Sequence, residues 1–330
     1  MILVTGGTGL LGSQLVFDLV STGNKVRVLK RKTSNTSLLQ KKFTDQYLFK
    51  SIEFAHGDVL DLFSIEDALK GINKVYHCAA LVSFEPDMAA AMIKTNVVGT
   101  ENMVNASLNA EIEKFCYVSS VATLGRNKEN ENISEQTLWE YGKHNSNYAI
   151  SKYGAEREVW RGFNEGLKGV IVNPSIILGE GDWTMDSSSI IGRVAEGLKF
   201  YTDGVSGFVD ARDVSRCMIN LMESYVTNER YVVSSQNIPF KTLSEKIALE
   251  LKLKPPSFHV SKSLLEAGWW IEALRTSVTG KKSLITKESA RSAVKKYFYS
   301  NEKIKKELNF SFIPIDETVK DVCAKFLQRT

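Results

Sequence analysis

A glycine-rich loop, TGGTGLLG at residues 5–12, follows an apolar strand and opens an apolar helical pattern. Gly6, Gly9 and Gly12 fit the spacing G-x-x-G-x-x-G, and Gly7, Gly9 and Gly12 also fit G-x-G-x-x-G. Such a turn requires a residue that tolerates positive φ, and a bound phosphate requires backbone N–H groups that no Cβ obstructs. The helix N-terminus then supplies donors to the phosphate. The position of the loop between the first strand and the first helix therefore predicts nucleotide binding rather than a glycine-rich turn without a ligand.

Short apolar strands alternate with helical patterns through the first half of the chain. The predicted strands are 1–5, 25–29, 52–58, 74–80, 114–120 and 168–174, and the predicted helices are 10–22, 64–71, 88–109 and one containing YAISKYGAERE (148–158). This alternation favours a parallel sheet, because right-handed crossovers place helices on both of its faces. We therefore predict the α/β class: a doubly wound parallel sheet (Rossmann fold) with a smaller C-terminal substrate-binding domain.

The regular alternation ends after the sixth predicted strand. Residues 207–222 have the pattern of a helix entered from a loop, and RYVVSS (230–235) predicts one more strand, which could return to the main sheet. We therefore predict a dinucleotide-binding domain over 1–174, with a returning segment at 208–235, and a mainly substrate-binding domain over 175–330.

The composition excludes several classes of protein. A net charge of +4, with scattered Lys and Arg, is too small to indicate a nucleic-acid partner. No apolar run reaches the ~18 residues needed to span a membrane. The stretch LLEAGWWIEAL (264–274) is amphipathic and could touch a membrane surface, but packing over a pocket or in a subunit interface is favoured.

Cysteine and histidine usage indicates a reduced protein without a metal. Cys78 and Cys116 lie in apolar strands without C-x-x-C spacing, so we expect buried, reduced thiols and a cytoplasmic location. Metal-ligand spacing is absent among the histidines, which are His56, His77, His144 and His259.

Basic side chains follow the second strand, in the sequence VRVLKRKTS (26–34). NAD sites commonly place an Asp or Glu there to accept hydrogen bonds from the ribose, whereas a 2′-phosphate favours cations. Arg31 is the best candidate because its planar guanidinium can bind phosphate through two hydrogen bonds, with Lys30 as a supporting charge. The pattern therefore favours NADP(H) over NAD(H). The alternative is that Lys30, Arg31 and Lys32 are simply solvated charges at the end of a strand.

A tyrosine precedes a lysine by four positions in YAISK (148–152) and again in YSNEK (299–303). Residues four apart share a helix face, so Lys152 can lie beneath Tyr148. A tyrosine with a reference pKa of ~10 is a poor acid–base group near neutrality, but a nearby ammonium favours its phenolate. Tyr148 could then exchange a proton with a substrate oxygen, while Lys152 holds the cofactor ribose.

A serine at the end of a strand should complete such a site by donating to the substrate oxygen. YVSS (117–120) ends the fifth strand, immediately before the helix that carries the first tyrosine. Ser120 is the predicted catalytic serine, since it lies five residues before Gly125; Ser119 points to the other side, and Thr123 is a weaker substitute. The alternative for these serines is backbone capping.

The second copy, YSNEK, has no strand-end serine before it and lies far beyond the nucleotide-binding half. It predicts the start of a helix capped by Asn301 or Ser300. Tyr299 is therefore predicted to be incidental to the chemistry.

Seven motifs occur in the order found in extended short-chain dehydrogenases/reductases. They are TGGTGLLG, HGDVLD (56–61), HCAALV (77–82), NVVGT (96–100), YVSSVATLG (117–125), YAISK and VNPSIILGEGDW (172–183). The resemblance covers essentially the whole chain, and it is most like the dihydroflavonol reductase-like group, of which GFVDARDV (207–214) is also typical. Nucleotide-sugar epimerases and 3β-hydroxysteroid dehydrogenase-like enzymes are close relatives. The resemblance implies a nicotinamide cofactor, a Ser/Tyr/Lys catalytic set and, commonly, a dimer.

Further cofactor-binding candidates lie in the loop and at strand ends. They are Thr8, Leu10 and Leu11; Asp58 and Val59; Ala79, Ala80 and Leu81; Asn96 and Ser119; and Asn173, Pro174 and Ser175. Asp58 either faces the adenine or caps a turn, and Asn96 either touches ligand or steadies the neighbouring strand. Candidate substrate residues, each with a core or surface alternative, are Val82, Phe84, Thr123, Trp183 and Tyr201. Asp210, Arg212 and Asp213 are expected to form an internal ion-pair network rather than to catalyse.

These expectations converge on an NADP-dependent oxidoreductase that acts on a small carbonyl or alcohol substrate. The same Ser/Tyr/Lys site would serve an epimerase or dehydratase of nucleotide sugars, in which hydride transfer is transient. A third reading, a non-catalytic NADP-binding protein, is disfavoured because both Tyr148 and Lys152 are present.

Overall fold

The computed structural model describes residues 1–126, 132–142, 145–184, 187–261, 264 and 292–329. The amphipathic stretch at 264–274 lies outside these residues except for Leu264, and so does His144. In the ranges that the structure describes, no helix combines the length and apolar character needed to cross a membrane.

The strands are short and mostly buried. They are β1 (Ile2–Thr5), β2 (Val26–Lys30), β3 (Glu53–His56), β4 (Lys74–His77), β5 (Lys114–Val118), β6 (Asn132–Ile133), β7 (Gly169–Pro174), β8 (Ile176–Leu178), β9 (Phe200–Tyr201), β10 (Val205–Asp210), β11 (Glu229–Val233), β12 (Gln236–Pro239), β13 (Phe258–His259) and β14 (Phe298–Tyr299). Every residue of β1 and β7 is buried, as expected for strands covered on both faces of a parallel sheet.

The helices alternate with the strands of the first half. They are α1 (Leu10–Ser21), α2 (Ser37–Lys41), α3 (Gln46–Lys50), α4 (Leu62–Leu69), α5 (Ala89–Met92), α6 (Gly99–Asn109), α7 (Asn147–Asn164), α8 (Ser189–Ala195), α9 (Ala211–Glu223), α10 (Phe240–Glu250), α11 (Glu302–Leu308) and α12 (Ile315–Leu327). A π-helical segment, Ile93–Val98, joins α5 to α6, and 3-10 turns occupy Pro86–Met88 and Val121–Thr123.

Seven strands form one parallel sheet in the order β11-β7-β5-β4-β1-β2-β3. The order reverses between β1 and β4, and such a reversal opens a crevice at the carboxyl ends of the strands where ligands bind. The predicted α/β class with a Rossmann fold is therefore confirmed.

Two apolar cores cover the faces of this sheet. On one face α1 and α9 pack together over buried residues such as Val4, Leu15 and Met218, and on the other face α4, α6 and α7 cover Leu3, Phe115 and others. A third core joins β10 to α8, α10 and α12 through Phe208, Leu243 and Phe326. A smaller unit in the second half therefore has a core of its own, while the boundary at residue 174 stays a prediction.

The predicted helix over residues 207–222 is wrong in its first four residues. Val205–Asp210 form β10, whose six residues are all buried between β8 and β12 in a second, three-stranded sheet. The helix begins at Ala211, and Asp210 ends the strand and caps the helix by accepting from Arg212 N at 2.7 Å. The segment after this helix, β11, pairs in parallel with β7 at the edge of the main sheet.

Candidate active site

The glycine loop places its turn against the end of β4. Gly6 has φ +68°, and a Cβ on it would lie 2.7 Å from Ala79 N. A Cβ on Gly12 would overlap the carbonyl oxygen of Gly6, so a glycine at this position lets helix α1 pack closely against the turn. The packing of the protein itself therefore explains both glycines.

Gly9 is different, because the fold leaves room for a side chain there. It is the exposed N-cap of α1 at φ −86°, and a Cβ would make only an ordinary contact, 3.5 Å from Gly6 O. A glycine at this point leaves the first N–H groups of the helix open to an approaching anion. The loop thus fits the pyrophosphate of a dinucleotide, with Thr8, Leu10 and Leu11 beside it.

Arg31 and Lys32 are exposed just beyond β2, on the side of the crevice. The Lys30 ammonium lies 3.5 Å from the Arg31 carbonyl oxygen. Asp58, after β3, accepts from Leu60 N at 3.0 Å, so its carboxylate caps a turn. The side chain of the neighbouring Val59 is buried against Gly99 of α6. The end of β2 therefore presents positive charge, and the carboxylate after β3 is engaged by backbone.

Asn96 clamps the segment that follows β4. Its Oδ1 accepts from Leu81 N at 2.7 Å, and its Nδ2 donates to Leu81 O at 2.9 Å and to Ser151 Oγ at 2.9 Å. Ser151 in turn donates to the carbonyl oxygen of Tyr148 at 2.8 Å. This buried amide therefore ties Ala79–Leu81, a segment of predicted cofactor-binding residues, to the first turn of α7.

Helix α7 carries the predicted catalytic pair. Ser146 caps it by accepting from Ala149 N at 3.0 Å, which places Tyr148 in the first turn. Lys152 is buried one turn later, where it donates to Val118 O at 2.7 Å and lies 4.4 Å from the centre of the Tyr117 ring. Because Val118 is the last residue of β5, the lysine is anchored two residues before Ser120.

Burial lowers the pKa of the Lys152 ammonium from 10.5 to about 7, while Glu156 and Cys78 act in the opposite direction. His77, at the end of β4, is buried between Thr5 Oγ1 at 2.7 Å and Thr100 Oγ1 at 3.1 Å. Burial lowers the pKa of His77 to about 3, with a smaller contribution from Lys152, so the imidazole is neutral. The site therefore contains a cation near its titration point beside a neutral histidine.

The two serines at the end of β5 point to different partners. Ser119 is buried and donates to Glu156 Oε2 at 2.5 Å, whereas Ser120 is half-buried and accepts from Ala122 N at 3.1 Å. Thr123 is completely buried and lies 2.7 Å from Glu156 Oε2. Of these three residues, Ser120 is the one that is not fully buried, and its hydroxyl caps the turn that follows, which is the alternative expected from the sequence.

Asn173 and Ser175 flank Pro174 at the end of β7, and both are buried. Asn173 Nδ2 donates to Glu156 Oε2 at 2.9 Å. Among the described residues, Asn173 Oδ1 and Ser175 Oγ have no hydrogen-bond partner. This strand end is therefore polar where the sheet meets the crevice.

The candidate substrate residues are dispersed. Phe84 is exposed, with its ring centre 6.3 Å from that of Tyr148, and Val82 is exposed nearby along the chain. Trp183 packs edge-on against Phe326 in the third core, and Tyr201 lies against His259. Phe84 is the candidate that the structure brings close to Tyr148.

A cavity of about 350 Å³ is lined in part by residues that neighbour Ser120 and Tyr148 in the chain. Its lining includes Ala122, Ser146 and Ala149, which lie within two residues of Ser120 or Tyr148 in the chain, and also Arg126 and Lys295. Arg126 and Lys295 lie in loops whose sequences have no strand or helix periodicity, so the sequence did not predict that they line a cavity.

Glu156 was also missed, although its spacing could have revealed it. It follows Lys152 by four positions in YAISKYGAERE, which places an acid on the buried face of α7. An acid on that face requires partners, and Ser119, Thr123 and Arg230 supply three of them.

The second tyrosine lies in a different environment. Tyr299 is buried in β14, paired with Ile133 of β6, and burial raises its pKa to about 12. Asn301 occupies the N-cap position of α11, but its amide donates to Ser234 O at 2.6 Å. YSNEK therefore begins a helix, as predicted, and its polar groups serve the fold.

The remaining charged candidates are engaged in structure. Arg212 pairs with Asp210 at 2.7 Å and with Asp321 at 2.8 Å, and Asp213 pairs with Arg216. Within the described ranges, no three His, Cys, Asp or Glu side chains are grouped as metal ligands. The four cysteines are unpaired, and all except Cys78 are buried.

Comparison with known proteins defines the class. The family model of the NAD dependent epimerase/dehydratase family matches residues 2–234. Sterol demethylase protein B of Methylococcus capsulatus is 31% identical over 240 residues, which cover 71% of this chain and 70% of that protein. A putative dihydroflavonol 4-reductase of Synechocystis is 26% identical over 324 residues, 96% of this chain and 92% of that protein. The crystal structure of gox2253 is 29% identical, with a TM-score of 0.83 and coverage of 99% and 98%.

The chain therefore belongs to the NAD dependent epimerase/dehydratase family. It is an enzyme of the extended short-chain dehydrogenase/reductase type, as the order of its motifs indicates.

The close approach of Gly6 to β4 predicts a specific loss of stability. Gly6→Ala should lower the free energy of unfolding by at least about 1 kcal/mol more than Gly23→Ala, because displacing packed atoms costs ~1–3 kcal/mol. Gly23 is the matched control, with φ +84° but nothing within 4 Å of its Cβ position. Urea unfolding followed by circular dichroism measures both, and equal losses would contradict the contact with Ala79.

Proposed function

We propose that this enzyme is an NADP-dependent oxidoreductase that reduces a ketone or aldehyde, or oxidises the corresponding alcohol. The observation that carries the proposal is the buried Lys152 ammonium, which joins helix α7, with Tyr148 in its first turn, to the end of β5, just before Ser120. When bound, the nicotinamide supplies or accepts the hydride. The other chemistry rests on side chains of this chain.

Tyr148 exchanges the proton with the substrate oxygen in this proposal. The positive charge of Lys152 stabilises the phenolate that remains when the proton leaves. Ser120 donates a hydrogen bond to the same oxygen and stabilises its developing negative charge. Asn96 supports the arrangement by fixing both Leu81 and, through Ser151, the backbone of Tyr148.

The preference for NADP rests on charge at the end of β2. Arg31 and Lys32 are exposed there, and the carboxylate of Asp58, which follows the neighbouring strand β3, accepts a hydrogen bond from Leu60 N. A 2′-phosphate would find a guanidinium able to donate two hydrogen bonds. The remaining cofactor contacts we propose are the glycine loop, Val59, Ala79–Leu81, Ser119 and Asn173–Ser175.

An epimerase or dehydratase is the second candidate, because the family includes such enzymes. The end of β2 carries basic side chains instead of the acidic residue that NAD sites commonly place there, and this favours the NADP-dependent reductase. Purified enzyme with NADPH and a panel of ketones and aldehydes separates the two. Oxidation of NADPH by a carbonyl compound supports the reductase, and conversion of a nucleotide sugar without net NADPH oxidation rejects it.

A cytoplasmic location and a homodimer remain parts of the proposal.

Removal of the Tyr148 hydroxyl tests the catalytic assignment. Tyr148→Phe should lower kcat by about 10²- to 10⁴-fold, the usual contribution of a positioned acid or base, and leave the Kd for NADPH nearly unchanged. Steady-state turnover and fluorescence titration measure the two quantities. Tyr299→Phe is the control and should retain activity, since that phenol lies in β14. Full turnover by Tyr148→Phe would reject the assignment.

Removal of the Arg31 guanidinium tests the cofactor preference. Arg31→Ala should weaken NADPH about tenfold or more and NADH much less, because hydrogen bonds to a charged partner contribute about 1.5–3 kcal/mol. Lys25→Ala is the matched control, since Lys25 is exposed at the opposite end of the same strand. Equal losses for NADPH and NADH in the Arg31 variant would contradict a 2′-phosphate site.

A further inference from the structure

A buried carboxylate lies one helical turn after Lys152. Glu156 is only 2% exposed, and five donors converge on it. They are Ser119 Oγ at 2.5 Å, Thr123 Oγ1 at 2.7 Å and Asn173 Nδ2 at 2.9 Å on Oε2, with Arg230 Nη1 at 3.0 Å and Trp160 Nε1 at 3.3 Å on Oε1. An ionised carboxylate offers acceptors alone, about four lone-pair sites, so these donors match the charged form and saturate it.

The hydrogen bonds of Glu156 enclose the predicted catalytic serine. Ser119 and Thr123 stand on either side of Ser120 in the chain, and both are held by the same oxygen of Glu156. Asn173 Nδ2 lies within reach of Glu156 and of the Ser120 carbonyl oxygen, at 3.2 Å. The backbone on both sides of Ser120 is therefore fixed to α7, the helix that also carries Tyr148.

Arg230 extends this arrangement to the edge of the sheet. It lies on β11, where its guanidinium binds Glu156 Oε1 and the carbonyl oxygen of Glu135. The buried charge of Glu156 is thereby paired, as a carboxylate out of water requires. The second half of the chain thus holds the carboxylate in place from the side opposite Ser120.

Glu156 is also the anion that faces the Lys152 ammonium. Besides Tyr148, one turn earlier on α7, the titratable groups around that ammonium are His77 and Cys78 from the end of β4 and Tyr117 from β5. Burial keeps all three neutral near pH 7: it lowers the pKa of His77 to about 3, raises that of Cys78 to about 12 and raises that of Tyr117. Among these neighbours, Glu156 alone bears a full charge.

We propose that Glu156 positions both partners of Tyr148, the Ser120 loop through hydrogen bonds and the Lys152 ammonium through its negative charge. The proposal rests on the reductase function stated above. Glu156 touches neither substrate nor cofactor in this account, and it acts through Ser119, Thr123 and Lys152.

The charge is tested by the pH dependence of turnover. Glu156→Gln removes the charge that favours the ammonium form of Lys152, so the alkaline limb of kcat/KM should move to lower pH by at least about half a unit. Glu156→Asp keeps the charge but withdraws the carboxylate, so it should lower kcat and leave the limb in place. Glu158→Gln, on the solvent side of the same helix, is the control and should match the wild type.

The hydrogen bonds are tested separately with Ser119→Ala and Thr123→Val. Each should lower kcat about tenfold while the alkaline limb stays unchanged, because the charge remains and Ser120 alone is loosened. Thr123→Val, which replaces no proposed cofactor contact, should also leave the Kd for NADPH unchanged. If Glu156→Gln does not fold, the kcat values of Glu156→Asp, Ser119→Ala and Thr123→Val still test the proposal. A limb unmoved in folded Glu156→Gln, or full kcat in Glu156→Asp, Ser119→Ala and Thr123→Val, would overturn the proposal.

Failure of this proposal can be told apart from failure of the reductase function. A Tyr148→Phe variant that loses turnover, together with wild-type behaviour of all Glu156 variants, would reject Glu156 alone. Full turnover by Tyr148→Phe would reject the catalytic assignment itself, whatever the Glu156 variants do.

Discussion

The Lys152 ammonium is held between the carbonyl oxygen of Val118 and the face of the Tyr117 ring, away from water. Taking an ammonium out of water costs several kcal/mol unless partners replace its hydration. The carbonyl oxygen, the ring and the charge of Glu156 supply that replacement. Because Val118 ends β5 and Lys152 lies on α7, the same contacts fix the helix of Tyr148 against the strand of Ser120.

The order of the strands in the sheet determines which groups surround this contact. β4 lies between β1 and β5, so the end of β4 meets the glycine turn on one side and the lysine on the other. Gly6 has no room for a Cβ because Ala79 passes beside it, and the adjacent His77 and Cys78 face Lys152. The predicted phosphate loop and the predicted proton-transfer groups therefore border one crevice, although they are distant in the chain.

Local patterns were sufficient to predict the strands of the first half, the glycine turn and helix α7, since each depends on periodicity or on a backbone requirement within a few residues. β10 was missed because Gly207–Asp210 runs directly into a helix, and its strand character comes from pairing with β8 and β12. Thr123 is buried through partners on α7 and β7 that its own sequence does not reveal. The cavity residues Arg126 and Lys295 come together from loops far apart in sequence.

The protonation of Lys152 tests the central claim most directly and needs no substrate. The side-chain resonances of isotopically labelled lysine, with Lys152 assigned by its loss in a Lys152→Arg variant, can be followed by NMR as a function of pH. We expect a titration midpoint near pH 7, because burial lowers the pKa of this ammonium to about 7. A midpoint near the ordinary lysine value of ~10.4 would show that the ammonium is not buried in this contact and would contradict the account.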